Sequence, residues 1–375
     1  MKIVLAFDSF KGSLPADLAC HLAAQTLTEL NPKLDCIEMP MADGGEGTAA
    51  ALIAAHDGEW IPHPATGPLP SMIVDAGFGW LPKSKTAIVE MAAASGLTLL
   101  RPDQRNPCET TTLGTGELIR AAVEYGAQRI LLALGGSATV DGGIGAAHAL
   151  GWRFLDSEKR ELAPIGANLS AIATLTPPPA PLALPEIIIL ADVTNPLCGT
   201  RGAAHIFGPQ KGATPEQVDH LDAGLQRLAN AIQQTLHRDI RDLPGSGAAG
   251  GLAAGAIAFM NATLQSGIDT IIRETHLEEA LSGADWILTG EGSFDRQSLH
   301  GKVVSGIAAL ARKHGVACAV LAGRVELTPA EVREAGIAYA APITPTHYTL
   351  DEAIRLAPEL LARATAQFWE AAVSP

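Results

Sequence analysis

Aromatic side chains are scarce in this chain, at 4% of 375 residues. Its core must be filled by aliphatic and small residues, and with 47% hydrophobic residues and 38 glycines that core is large and closely packed. Cations are also in deficit. Lys and Arg number 26 against 40 Asp and Glu, a formal net charge of −14, which argues against duplex nucleic acid and anionic membranes as partners. An acidic protein that binds an anion must place its few cations with care. The five cysteines (Cys20, Cys36, Cys108, Cys198, Cys318) are odd in number and scattered, with no C-x-x-C, which fits a reducing compartment and excludes a structural zinc cluster. No apolar run approaches the ~18 residues of a membrane helix, and the opening M-K-I-V-L-A-F-D is too short for a secretory core. A cytoplasmic, soluble protein is expected. The P-loop, the protein-kinase H-R-D and D-F-G set, H-E-x-x-H and G-x-S-x-G are all missing.

What the chain does have is a repeated pairing of apolar strand and glycine-rich loop. The fullest case is Arg129–Gly151, where the run Ile130–Leu134 turns through Gly135, Gly136 and Ser137 and continues past Asp141 into a small-residue helix. Backbone N–H groups in such a turn, beside a helix start, can hold a phosphate or carboxylate. The same grammar recurs: Lys2–Phe7 ends in Asp8-Ser9-Phe10-Lys11-Gly12-Ser13, with Ser13 as expected N-cap of the next helix. Cys36–Met41 ends in Asp43-Gly44-Gly45-Glu46-Gly47, Ile187–Ala191 in Asp192, and Ala284–Leu288 in Gly290-Glu291-Gly292-Ser293-Phe294-Asp295. A proline-rich, less regular stretch, 58–85, reads as a crossover into a second domain, with Ile73–Ala76 and Thr86–Met91 as a pair of strands, and Trp152–Leu155 with the charged turn Asp156–Arg160 reads as a hairpin. Long helices are expected over Pro215–Leu236, Gly301–His314 and from about Asp351 to Ala371. Strands alternating with helices predict an α/β fold with largely parallel sheets, in which ligands sit beyond the carboxyl ends of strands.

Three lysines stand beside glycine in these loops: Lys11, Lys211 and Lys302. Each can reach a phosphate that the backbone already cradles. Asp8, Asp43, Glu46, Asp192, Glu291 and Asp295 are carboxylates at strand ends, the residue type that holds Mg2+ and accepts a hydroxyl proton in phosphoryl transfer. The residues by themselves therefore point to an α/β enzyme or binder of small anionic ligands, with nucleotide and metal as the expected pair.

Six blocks then carry a specific resemblance. D-S-F-K-G-S (8–13), P-M-A-D-G-G-E-G-T (40–48), G-G-S-A-T-V-D-G-G (135–143), D-V-T-N-P-L-C-G (192–199), F-G-P-Q-K-G-A (207–213) and T-G-E-G-S-F-D-R-Q-S-L-H-G-K (289–302) closely resemble, in order, the bacterial type I glycerate kinase family. The chain departs from it at Val140, where many members have Asn, and at Ser293-Phe294, where many have Arg-Ile. The resemblance implies ATP-dependent phosphorylation of D-glycerate, with Mg2+, to 2-phosphoglycerate; 3-phosphoglycerate is the alternative product. It implies two α/β domains. One is Rossmann-like with a parallel sheet built from both chain ends (1–61 and 284–375), the other is inserted (62–283), and the active site is expected in the cleft between them.

The expected site assigns catalysis to Asp192, Asp295 and Lys11, and glycerate binding to Asp8, Ser9, Lys11, Asp43, Gly44, Gly45 and Glu46. Phosphate and nucleotide binding fall to Gly135, Gly136, Ser137, Lys211, Gly290, Glu291 and Lys302, and metal to Asp192 and Glu291. For the base, Asp192 stands first because it ends the most apolar strand and must be rigid; Asp295 is second, and Asp8 would be held ionised by Lys11. Partners are D-glycerate and ATP, with no nucleic acid or membrane, and a homodimer is the candidate assembly. Two other classes stand beside this one: a nicotinamide oxidoreductase, disfavoured by the missing G-x-G-x-x-G after the first strand, and a non-enzymatic sugar-acid sensor, which would need no strand-end carboxylates paired with lysines.

Overall fold

The computed structural model describes residues 1–299 and 302–373. Eleven strands build its two main sheets: β1 (Lys2–Leu5), β2 (Asp35–Glu38), β3 (Glu59–Thr66), β4 (Ile73–Leu81), β5 (Thr86–Glu90), β6 (Arg129–Ala133), β7 (Glu186–Leu190), β8 (Thr263–Gln265), β9 (Trp286–Thr289), β10 (Ala317–Ala322) and β11 (Tyr339–Pro342). The chain divides into two compact units, Met1–Asp43 with Ala50–His56 and Ile268–Pro375, and Gly44–Ala49 with Asp57–Gly267.

The first unit holds a five-stranded sheet in the order β11-β10-β9-β1-β2, every pair parallel. In sequence order within the unit this is 2-1-3-4-5, the flavodoxin-type variant of the doubly wound fold. Its core is largely aliphatic, joined by Phe7, Phe10 and Phe368: Ile3, Leu5, Leu288, Ala319 and Leu321 pack with the helix Ala16–Leu30, which buries Ala19, Cys20, Ala23 and Leu27 at helical spacing. Ser13 does not cap that helix. The N-cap is Pro15, and the Ser13 hydroxyl donates instead to the carbonyl of Ile354 (3.3 Å). That carbonyl lacks its usual helical donor because Pro358, four residues on, has no N–H. The same proline splits the expected C-terminal helix into Leu350–Arg355 and Ala357–Phe368. Of the helix expected from Gly301, Gly301 lies outside the described residues, and the observed helix is Val303–His314.

The second unit holds a six-stranded sheet in the order β8-β7-β6-β5-β4-β3, parallel from β8 to β5 and antiparallel from β5 to β3. The stretch read as an irregular crossover contains β3, despite Pro62 and Pro64. Both are tolerated because β3 is an edge strand paired only with β4, so missing donors can face away from the ladder. Arg153–Leu155 pairs mainly with Thr174–Thr176, and only a single bridge, Leu155 to Glu161, remains of the expected hairpin. The helix Pro215–Leu236 forms as expected, started by a Thr214–Gln217 capping box with Pro215 at its first position.

Candidate active site

In the first sheet the chain moves outward from β1 to β2 on one side and from β9 to β10 on the other. The carboxyl ends of β1 and β9 therefore flank the topological switch point, where a doubly wound sheet leaves a crevice. A cavity of about 350 Å3 opens there, lined by the loops after β1, β9 and β10. The Asp8 N–H donates to the Gly290 carbonyl (3.0 Å), and the N–H groups of Gly323 and Arg324 to the carbonyls of Glu291 (3.0 Å) and Gly292 (3.2 Å), so three loops are tied edge to edge. Gly290 serves this packing: a Cβ on it would run into the Leu321 carbonyl of β10.

The cavity collects charge of both signs. Asp8, Asp43, Glu291 and Asp295 line it together with Lys11, Lys302 and Arg324. Asp8 is 6% exposed and Glu291 8%. Burial first, and the negative charges of Asp43 and Glu291 in support, push Asp8 up to about 8, against the pull of the Ser9 N–H (2.7 Å) and Lys11. The expectation that Lys11 holds Asp8 ionised is thus corrected: Lys11 is exposed, and a screened surface cation does not offset the desolvation of a buried carboxyl. Burial also raises Glu291, with Ser298 and Lys302 acting the other way. Among the described residues, its buried Oε1 has no hydrogen-bond partner. Asp295 is engaged in a local turn with Ser298, which spans the Asp295 carboxylate and N–H (3.3 Å each). Lys302 is the N-cap of Val303–His314, so a cation and the helix N-terminus share one place.

The remaining expected residues belong to the second unit. Lys211 is 2% exposed; its Nζ donates to the Ser137 hydroxyl (2.7 Å) and the Thr139 carbonyl (2.8 Å), and burial depresses it to about 7, with Asp141 opposing. It braces the glycine turn from inside rather than standing at the surface. Asp141, fully buried, accepts from the Thr112 N–H (2.8 Å) and hydroxyl (2.7 Å) and from the N–H groups of Gly143 (3.0 Å) and Gly145 (3.2 Å), which locks the second half of the loop. The Gly135 N–H is spent on the Gly44 carbonyl (3.3 Å), and a Cβ on Gly135 would strike the Gly45 Cα. Gly136 keeps a positive φ of 77°. Asp192 is half-buried beyond β7 and accepts from the Gly267 N–H (2.9 Å). Glu46 is exposed.

Sequence reasoning passed over two residues. Arg324 lines the cavity; its position, two residues past β10, follows the strand-end rule that found the others. Glu90 is a buried acid ending β5, and the signal was a lone carboxylate closing T-A-I-V-E. Among the described residues no three His, Cys, Asp or Glu side chains form a ready-made metal cage.

Comparison with known proteins identifies the family. The Glycerate kinase family matches residues 3–372. Glycerate 2-kinase of Escherichia coli is 41% identical over 371 residues, 97% of this chain and 96% of that protein, and glycerate kinase of Bacillus subtilis is 40% identical over 365 residues, 97% and 95%. A solved Salmonella typhimurium LT2 chain, provisionally designated glycerate kinase 2, superposes with a TM-score of 0.84 at 41% identity, covering 98% of this chain and 96% of its own. With an α/β sheet whose switch point gathers buried carboxylates and lysines, and a family match running nearly end to end, the chain belongs to the glycerate kinase family.

Proposed function

We propose that the protein transfers the γ-phosphoryl group of ATP to the 2-hydroxyl of D-glycerate. The observation that carries this is the meeting of Asp8, Asp43 and Glu291 with Lys11 and Lys302 at the β1/β9 switch point. The lysines offset the charge of carboxylate and phosphate, and the acids hold metal and hydroxyl. The 2-hydroxyl is favoured by the Escherichia coli relative named a glycerate 2-kinase. A phosphorus NMR spectrum of the product decides it: 2-phosphoglycerate is expected, and 3-phosphoglycerate or no product would overturn the assignment.

Mg2+ fits the residues present. Glu291 offers a buried carboxylate oxygen with no donor among the described residues, and Asp192 is the second expected ligand. When bound, the ion supplies charge neutralisation at the phosphates. For the base, the environment favours Asp8 over the sequence's first choice. A general base works best with a pKa near the operating pH, and Asp8 is raised to about 8. Asp192 and Asp295 are less buried than Asp8, and Asp295 also closes its own turn, so both suit holding roles. Lys11 and Lys302 contact the anionic groups, Ser9 and Asp43–Glu46 orient glycerate, and the turn Gly135–Ser137 with Lys211 is assigned to phosphate. All five cysteines are free, which supports a cytoplasmic, reducing location, and the charge of −14 supports the absence of a nucleic-acid partner.

A further inference from the structure

The short segment Gly44–Ala49 clusters with the second unit although the chain on either side of it, Met1–Asp43 and Ala50–His56, belongs to the first. Within the second unit it makes three separate contacts, each at the carboxyl end of a different strand. Gly44, at φ 85°, lies so close to Leu190 at the end of β7 that a Cβ would come within 2.9 Å of the Leu190 Cβ. Gly45 lies against Gly135, just past β6, where the Gly135 N–H reaches the Gly44 carbonyl. The third contact is polar: Glu90, the last residue of β5, accepts the Ala49 N–H at 2.6 Å through Oε1, and also the Gly47 N–H.

β5, β6 and β7 are adjacent parallel strands, so the segment crosses the ligand-binding edge of the second sheet. Two of these contacts are made by glycines, through close packing and one backbone hydrogen bond. The third is made by the Glu90 carboxyl, and Glu90 is 9% exposed. Ala49 lies in the first turn of the helix Thr48–His56, whose leading N–H groups have no partner in their own helix. The Glu90 carboxylate, reaching in from the end of β5, satisfies that of Ala49. The cost of that arrangement is visible in Glu90 itself, which burial, with Glu46 in support, pushes up to about 7.

We propose that Glu90 is a positioning residue for glycerate: its carboxylate fixes the Asp43–Glu46 loop by holding the backbone just behind it, without touching substrate. This rests on the kinase reading above. A loop that presents Asp43 and Glu46 from glycine-rich backbone has little rigidity of its own. A displacement of about 1 Å in a positioned group can lower turnover by about a hundredfold. The role differs from a plain structural cap, which would lower stability without selecting one substrate.

The test uses Glu90→Ala and Glu90→Gln in the full chain. Deuterium exchange of the 44–49 amides, measured without substrates, should quicken in Glu90→Ala and less in Glu90→Gln, which keeps an acceptor oxygen. In steady state, KM for D-glycerate should rise about tenfold or more in Glu90→Ala, with KM for ATP within about twofold, and Glu90→Gln should fall between. Unchanged exchange in both variants overturns the proposal, and so does an equal change in both KM values. If wild type phosphorylates no glycerate, the kinase reading fails, while the exchange result still judges the grip of Glu90 on its loop.

Discussion

Lys211 and Ser137 are joined by a 2.7 Å hydrogen bond in the interior of the second unit, 74 residues apart in sequence. The lysine that sequence patterning assigned to a phosphate is also a strut inside the glycine turn. It holds the turn at two points, the Ser137 hydroxyl and the Thr139 carbonyl, and its burial has a consequence for stability.

An unfolded lysine titrates near 10.5, whereas Lys211 in the fold is depressed to about 7 by burial. Between those values the unfolded chain binds the extra proton, so this group makes stability rise with pH from about 7 toward 10.5. Urea unfolding of wild type and Lys211→Met across pH 6.5 to 9.5 (roughly this window) should show that rise in wild type only. Parallel curves would mean the lysine stays charged in the fold.

Asp8→Asn should lower kcat by about a hundredfold or more, the scale of a positioned base, while nucleotide binding survives. Asp192→Asn should cost less in kcat and more in Mg2+ affinity. The reverse ranking, read from steady-state kinetics over a Mg2+ titration, would return the base to Asp192.

Chelation with EDTA should abolish turnover, and Glu291→Gln should raise the Mg2+ concentration for half-maximal rate by about tenfold or more, as loss of a ligating carboxylate does. A Mg2+ dependence identical to wild type would remove Glu291 from the metal site.

Gly290→Ala should destabilise the fold by about 1–3 kcal/mol, because the new methyl meets the Leu321 carbonyl and one of two strands must shift. Gly292→Ala, whose Cβ would meet, among the described residues, only the Lys11 backbone nitrogen at 3.9 Å, should be much milder. Equal denaturant midpoints for the two would show that the β9–β10 packing yields to the extra methyl at little cost.

The sequence alone was enough to locate most of the parallel strands and to show that polar, glycine-rich loops follow them, because apolar runs and glycine pairs are local features with local causes; β3 and β8 escaped it. It also carried the family, since six ordered blocks are read without knowing where they meet. It could not say that β1 and β9, some 280 residues apart in the chain, are neighbours, and that adjacency alone makes Asp8 and Glu291 share a cavity. Nor could it separate a glycine that cradles an anion from one that lets two backbones touch, as Gly135 does on Gly45. Asp8 beside Lys11 reads as an ion pair on paper. In the fold one is buried and the other exposed, and desolvation, which depends on everything packed around a group and not on its sequence neighbours, decides the outcome.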